Sequence, residues 1–378
     1  MQRESVQKLC ADNVAEYLRQ RGAASQGEVL AKNLSSGMAN AVLMIMDMGA
    51  GEAIGTDMRS ESQKKRGVPD QRMRQGNCFV LKQPREHFGT TASWRVDLDR
   101  VWIERDALTA LEHILPTGTL PRVLWSDEEN HVLAISAATT GALNFKSELL
   151  AGRIDPRATK EAAVLLATLH TSSQSLPALR ERFADPRLFD QQRTDPYLRH
   201  LLTKHTMVSS RLQRIMYLLM THPLCLIHGD YSPSNILLMP QTDSPPTAPT
   251  LMLLDFEVSF RGNPVFDVAT FLNHLLLKAF RSEKKWRPFM IAADRFWNQY
   301  ISQTPKAIHG PTMEYGGSVL GALLLAGLDG KSPVEYLPEP DKREQVGALA
   351  ISLLTEANTS MDNGLDMAGV ALDKAAEN

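Results

Sequence analysis

His228, Asp230 and Asn235 fall within eight residues, in the run Leu226-Ile-His-Gly-Asp-Tyr-Ser-Pro-Ser-Asn-Ile-Leu-Leu238, where a polar loop separates two apolar segments. Polar groups in such a frame need partners or a task, because burying them unpaired is unfavourable. Twenty-five residues beyond Asp230 a further apolar run, Leu251-Met-Leu-Leu, ends in Asp255-Phe-Glu257. Strand ends would then deliver carboxylates and one amide to a common place, as the hard oxygen ligands that Mg²⁺ prefers when it is shared with phosphate oxygens. Earlier in the chain, Lys82 closes the run Cys78-Phe-Val-Leu-Lys82, and Glu104 follows 22 residues later. An acid so placed can orient an ammonium and keep it charged against phosphates.

The elements that must position these groups are legible from periodicity. Asn40-Ala-Val-Leu-Met-Ile-Met and residues 78–82 read as strands, the second half-buried, and Asp97–Leu111 reads as a helix with Glu104 at its middle. Residues 5–21 read as an amphipathic helix, and Pro121–Trp125 and Val132–Ser136 as two strands around the acidic turn Asp127-Glu-Glu-Asn130. The Thr/Gly/Ala segment at 137–142 marks the boundary between a mixed first half and a helical second half. That second half has helical patterns over 158–171, 195–220, 264–281, 286–302, 313–328, 333–338 and 341–358, and strands at 224–227 and 251–254. Residues 49–77 are polar and glycine-rich and read as a long mobile insertion, and 240–250 as an exposed proline-rich turn. The expected division is 1–136, 137–360 and a polar tail, 361–378.

These motifs resemble the aminoglycoside phosphotransferase and choline kinase superfamily, whose fold is similar to that of protein kinases. The family loop HGDxxxxN is matched by His228-Gly-Asp-Tyr-Ser-Pro-Ser-Asn235, the following strand-end acid by Asp255, and the helix start by Gly262-Asn-Pro-Val-Phe-Asp267. The resemblance implies an α+β bilobal fold, with an N-terminal antiparallel sheet plus helix, a mainly helical C-terminal lobe and an active site between them. It implies an ATP- and Mg²⁺-dependent kinase acting on a small-molecule hydroxyl. Asp230 corresponds to the catalytic base, Asn235 and Asp255 to metal ligands with Glu257 beside them, and Lys82 to the phosphate-binding lysine with Glu104 as its partner. Ser36, Gly37 and Asn40, in the turn Leu34–Asn40, correspond to the phosphate-covering loop. His228 and Asp267 read as structural support for the loop rather than as reacting groups.

Within the superfamily the nearest likeness is to methylthioribose kinase, through Val80-Leu-Lys-Gln83, Ser93-Trp-Arg-Val-Asp-Leu-Asp-Arg100, Glu148-Leu-Leu-Ala-Gly152 and Asp255-Phe-Glu257. The sequence departs from that family in carrying Asn235 and in lacking its paired arginines near the C-terminus, where it reads Leu325-Ala-Gly-Leu-Asp-Gly-Lys331. Methylthioribose is therefore one candidate among sugar-like and amino-alcohol acceptors. An aminoglycoside-inactivating phosphotransferase is a second reading, and a nucleotide-binding protein without transfer activity is one of another class. Retention of Lys82, Asp230, Asn235 and Asp255 together weighs against the last.

Composition bounds the rest. The 378 residues carry a net charge of −2 with 43% hydrophobic residues, which removes the broad basic footprint of a nucleic-acid binder. Cys10, Cys78 and Cys225 are odd in number and widely spaced, so neither a disulfide framework nor a zinc site is indicated and a cytoplasmic protein is expected. No apolar stretch is long enough to span a bilayer. Composition leaves the oligomeric state open. Gly330-Lys331-Ser332 is not a P-loop, because Leu325 stands where the motif needs glycine and the preceding residues are helical. Ser332-Pro-Val-Glu335 reads instead as a capping box opening the helix at 333–338. The run Arg281–Arg287 reads as a solvated face. Residues 300–378 hold 11 acidic against 5 basic side chains, which would mildly suit a cationic substrate.

Overall fold

In a computed structural model, residues 8–34, 40–49, 78–87, 94–240, 251–282, 285–356 and 359–377 are described. Ser36 and Gly37, nearly all of the 49–77 insertion and residues 241–250 of the proline-rich turn lie outside them. The chain divides into two compact units, residues 1–109 with 121–139, and residues 110–120 with 140–378.

The first unit is built on a five-stranded antiparallel sheet in the order β1-β2-β3-β5-β4. Its strands are β1 (Val29–Asn33), β2 (Asn40–Asp47), β3 (Cys78–Pro84), β4 (Val123–Asp127) and β5 (Val132–Ser136). Strand side chains alternate between faces. Phe79 and Leu81 therefore join a core with Leu43, Ile45 and the residues Val14, Tyr17 and Leu18 of helix α1 (Val14–Gln20). Lys82 belongs to the opposite face. β3 is longer than the sequence pattern suggests and is buried from Phe79 to Pro84 rather than half-buried, because the core with α1 covers one face and Glu104 of the helix that follows meets Lys82 on the other. Residues 8–13 are not helical; the Cys10 amide donates to the Asn13 side chain at 2.8 Å in a turn before α1. Helix α2 (Arg100–Leu111) carries Glu104 in its second turn. Its first residue, Arg100, is fully buried and donates to the carbonyls of Asp97 at 2.9 Å and Arg85 at 2.8 Å, so this guanidinium fixes the helix start.

The second unit is mainly helical. Two small antiparallel sheets, β6-β8-β9 and β7-β10, frame the loop at 228–235, from β6 (Leu143–Asn144), β7 (Cys225–Ile227), β8 (Ile236–Leu238), β9 (Leu251–Leu253) and β10 (Phe260–Gly262). Its longer helices are α4 (Pro156–Gln174), α5 (Ser209–Thr221), α6 (Val265–Arg281), α7 (Arg287–Gln303), α8 (Lys306–Asp329), α9 (Pro340–Thr355) and α10 (Met361–Glu377), preceded by the short α3 (Phe145–Leu150). α6 is apolar around most of its circumference and accordingly sits in the centre, buried almost throughout. Phe271 of α6 stacks on Phe296 of α7 at 4.1 Å between ring centres, a pair worth about 1 kcal/mol beyond the area it buries.

Three sequence expectations change here. Residues 361–377 form α10, which buries Met361, Leu365, Ala368 and Leu372, a helical stripe that the polar composition masks. α10 crosses α8 where Gly364 meets Gly317. The helix expected at 195–220 is broken: a π-helix spans Asp190–Leu198, a 3₁₀ turn Arg199–Leu202, and regular helix resumes at Ser209. Pro196, which has no amide hydrogen to donate, lies inside the π-helical part. Residues 333–338 do not form a helix: the Val334 amide is drawn to the Gly327 carbonyl at 2.8 Å, and Pro338 has no amide hydrogen to close a helical turn. Lys331 donates to the Asp195 carboxylate at 2.7 Å, an ion-pair role that replaces any phosphate-loop one. Cys10, Cys78 and Cys225 are free thiols, and among the described residues no helix is long and apolar enough to cross a membrane.

Candidate active site

In the first unit, the Lys82 ammonium lies 2.7 and 2.6 Å from the two Glu104 carboxylate oxygens, with the residues only 6% and 1% exposed. Removing both charges from water is unfavourable enough that such a pair is weak evidence for stability. Its presence in a small domain favours a task for the charged lysine. Asn40 opens β2, and its side-chain oxygen accepts from the Arg100 guanidinium at 3.3 Å.

The second unit assembles its group around the loop between β7 and β8. Gly229 has φ +77°, and a Cβ there would stand 2.6 Å from the Val258 carbonyl oxygen, so both the turn and the close approach require glycine. The loop is held from below by Asp267, in the first turn of α6 and completely buried. One of its oxygens accepts from the His228 amide at 2.7 Å and the other from the Gly229 amide at 2.9 Å. His170 of α4 is 3.1 Å from the same carboxylate through Nε2 and 2.8 Å from the Tyr300 hydroxyl of α7 through Nδ1. A carboxylate near a helix start can serve its own helix dipole; this one instead reaches across to the loop.

His228 is also fixed. Its Nε2 must donate to the Leu254 carbonyl, 2.9 Å away, which leaves Nδ1 to accept from the Asp230 amide at 3.2 Å. Burial pushes its pKa below the ordinary histidine value despite the opposing pull of Asp267 and Asp230, so the ring stays neutral.

Asp230 is therefore presented on a braced loop, and its carboxylate is held from two sides. Asn235 Nδ2 donates to Asp230 Oδ2 at 2.7 Å and to its carbonyl at 3.0 Å. Arg193, from the π-helix, approaches the same Oδ2 to 2.9 Å and donates to the Gly229 carbonyl at 3.0 Å. Burial opposes the Arg193 charge, yet Asp230, Tyr197, Glu257 and Asp255 more than offset it and raise its pKa. Three carboxylates thus share one neighbourhood. Glu257 is 5% exposed, and Asp255 has φ +69°, a conformation sparsely populated outside glycine that marks strained functional positions. The Leu254 amide donates to the Asn235 carbonyl at 2.9 Å, which sets Asn235 and Asp255 at the ends of neighbouring strands.

Among the described residues no three His, Cys, Asp or Glu side chains could hold a metal by themselves. The donor set nevertheless suits Mg²⁺, which is commonly bound by one or two carboxylates together with waters and phosphate oxygens. The nitrogen of Asn235 is committed to Asp230, so its amide oxygen is the end that can face a cation.

Arg193, His170 and Tyr300 escape the sequence reading. Arg193 lies just before the helical pattern at 195–220, in a stretch without a period of its own, and Pro196 is the nearest irregularity the sequence offers. His170 offers a weak signal as a lone polar ring in the apolar run of α4.

The profile of the phosphotransferase enzyme family matches residues 71–284. No curated protein matches the chain significantly. Among solved structures it is similar to the choline kinase LicA from Streptococcus pneumoniae, at 15% identity and TM-score 0.45 over 97% of this chain and 99% of that one. It is similar to a glucosamine kinase at 16% identity and TM-score 0.45, over 92% of this chain and 83% of that one. A macrolide 2'-phosphotransferase from Brachybacterium faecium matches at 15% identity and TM-score 0.41, over 92% of this chain and 99% of that one. With the family profile spanning more than half of the sequence, from just before β3 to just past α6, the chain belongs to the phosphotransferase enzyme family.

Proposed function

We propose that the protein transfers the γ-phosphate of ATP to a hydroxyl group of a sugar-like or amino-alcohol metabolite. The observation that carries this reading is the Asp230 carboxylate, oriented by Arg193 and Asn235 on a loop whose amides are fixed by Asp267. With one oxygen occupied by those two donors, the other is left to accept the proton of an attacking hydroxyl, the role of a general base. Asn235 and Asp255, with Glu257 nearby, would hold Mg²⁺, which when bound neutralises charge on the phosphate oxygens. Lys82, kept charged by Glu104, would contact the phosphates of the same nucleotide. Positioning and charge neutralisation of this kind supply most of the catalysis in phosphoryl transfer. Methylthioribose is the first acceptor to test, with aminoglycosides beside it.

Two measurements test the reading. ATP with Mg²⁺ should raise the melting temperature by mass action, and a metabolite panel scored by ADP release should identify an acceptor. Absence of any shift at millimolar ATP would remove both the kinase reading and that of an inactive nucleotide-binding protein.

Lys82→Met should lower kcat/KM for ATP by about 10²-fold or more, the magnitude expected for deleting one preorganised charge donor. Steady-state kinetics in ATP check this. Unchanged kcat/KM would take Lys82 out of nucleotide binding.

A further inference from the structure

The second unit gathers basic side chains that the mechanism above leaves unused. Lys278 of α6 is 1% exposed; its ammonium donates to the His274 carbonyl at 3.0 Å and stands 4.8 Å from the centre of the Tyr336 ring. Lys146 of α3 brings a second ammonium to the same ring at 5.7 Å. The Tyr336 hydroxyl is 3.3 Å from Nδ1 of His274. Lys278 forms the buried floor, while Lys146, His274 and Tyr336 are half-buried around it.

Two ammonium groups drawn to one ring repel each other, and cation–π attraction offsets this only in part. A buried amine normally has a counter-charge or gives up its proton readily. Among the described residues, neither Lys146 nor Lys278 forms an ion pair with a carboxylate. Burial lowers the Lys278 amine to about 7, with Lys146 and Arg281 adding to the effect. His274 is pushed well below the ordinary histidine value by burial and then by Lys278, Lys146 and Arg193. Every charge felt at these two groups has the same sign.

The cluster is tied to the loop that carries Asp230 by three routes. Asn144, two residues before Lys146, donates from its amide to the Ser234 carbonyl at 2.8 Å. Asp267 grips the His228 and Gly229 amides, and His274 follows it by seven residues on the same helix face, a rise of about 10 Å. Arg193, which touches Asp230, is near enough to act on His274.

We propose that Lys146, His274, Lys278 and Tyr336 bind an oxyanion of the acceptor, so that the substrate is a hydroxyl compound bearing a carboxylate or phosphate group. This rests on the assignment of Asp230 as the base. The anion supplies the counter-charge the cluster lacks and sets the hydroxyl at a defined distance from Asp230. It also reverses the expectation of a cationic substrate drawn from the acids of residues 300–378, several of which are engaged elsewhere. Asp329 pairs with His205 and Arg343, Asp373 with Arg287, and Asp362 accepts from Trp297.

The test is calorimetric titration of D-ribonate and D-ribose 5-phosphate, with D-ribose as the uncharged control, into the full chain with ADP and Mg²⁺. At least one acid should bind tenfold or more tightly than ribose, and which acid does so separates a carboxylate from a phosphate ligand. Lys146→Ala, at a half-buried position, and Lys278→Met should each remove that preference while ADP affinity is unchanged. Equal binding of acids and ribose, or a preference that survives Lys146→Ala, would overturn the proposal. Acid binding without ADP binding would keep the oxyanion site and remove the kinase reading, so the two failures are distinguishable.

Discussion

Asp230→Asn lowers kcat by about 10³-fold, within the range that general-base catalysis contributes, while ATP affinity stays within a few fold. The substitution is informative because of how the native carboxylate is held. Both Arg193 and Asn235 address Oδ2, and the oxygen of an asparagine can accept from both in the same place. What changes is the other end, where an amide group that cannot take a proton replaces the second oxygen. A fall in kcat with unchanged nucleotide binding identifies an interaction made in the transition state. Steady-state ADP release and ATP titration measure the two quantities. Turnover within tenfold of the native rate would exclude Asp230 as the base.

Asp267→Ala destabilises the protein by about 3–5 kcal/mol, the loss typical of removing one partner from a buried charged network. The carboxylate accepts from two loop amides and faces His170, all inside the core. Removing it leaves those donors buried with no acceptor, at about 1–3 kcal/mol each. Against a total stability of about 5–15 kcal/mol this is a large fraction. Asp267→Asn keeps one acceptor oxygen but turns an NH₂ toward another donor, so its effect falls between alanine and the native residue. Urea denaturation of the three proteins gives the ordering. A loss below about 1 kcal/mol for alanine would mean that the loop has other supports.

The strand-loop-strand frame around Asp230 was legible because each of its parts is short, local and strongly patterned: apolar runs mark β7, β8 and β9, and the loop between the first two has turn-forming residues. Helix α2 and the order Lys82, Glu104, Asp230, Asp255 were legible for the same reason. Arg193 was not, since its partner lies 37 residues away and an irregular helix carries it, so no period announces its direction. The basic cluster was hidden more deeply. Lys146, Lys278 and Tyr336 come from three distant segments, and a lone lysine in a helical pattern reads as a surface residue. Burial of Lys278 is a property of the packing of α6, which no window of sequence around it contains.

The grip of Asp267 on the loop also determines how the site breathes. An amide in an irregular surface loop ordinarily exchanges with solvent through small local openings, whereas amides tied to a core exchange through cooperative ones. The His228 and Gly229 amides end on a carboxylate anchored in α6 and contacted by His170 of α4, which itself reaches Tyr300 of α7. Freeing them means breaking into a buried network that reaches three packed helices. By secondary structure the segment around Asp230 is a loop, but its two tied amides should exchange with the slow amides of the helical interior.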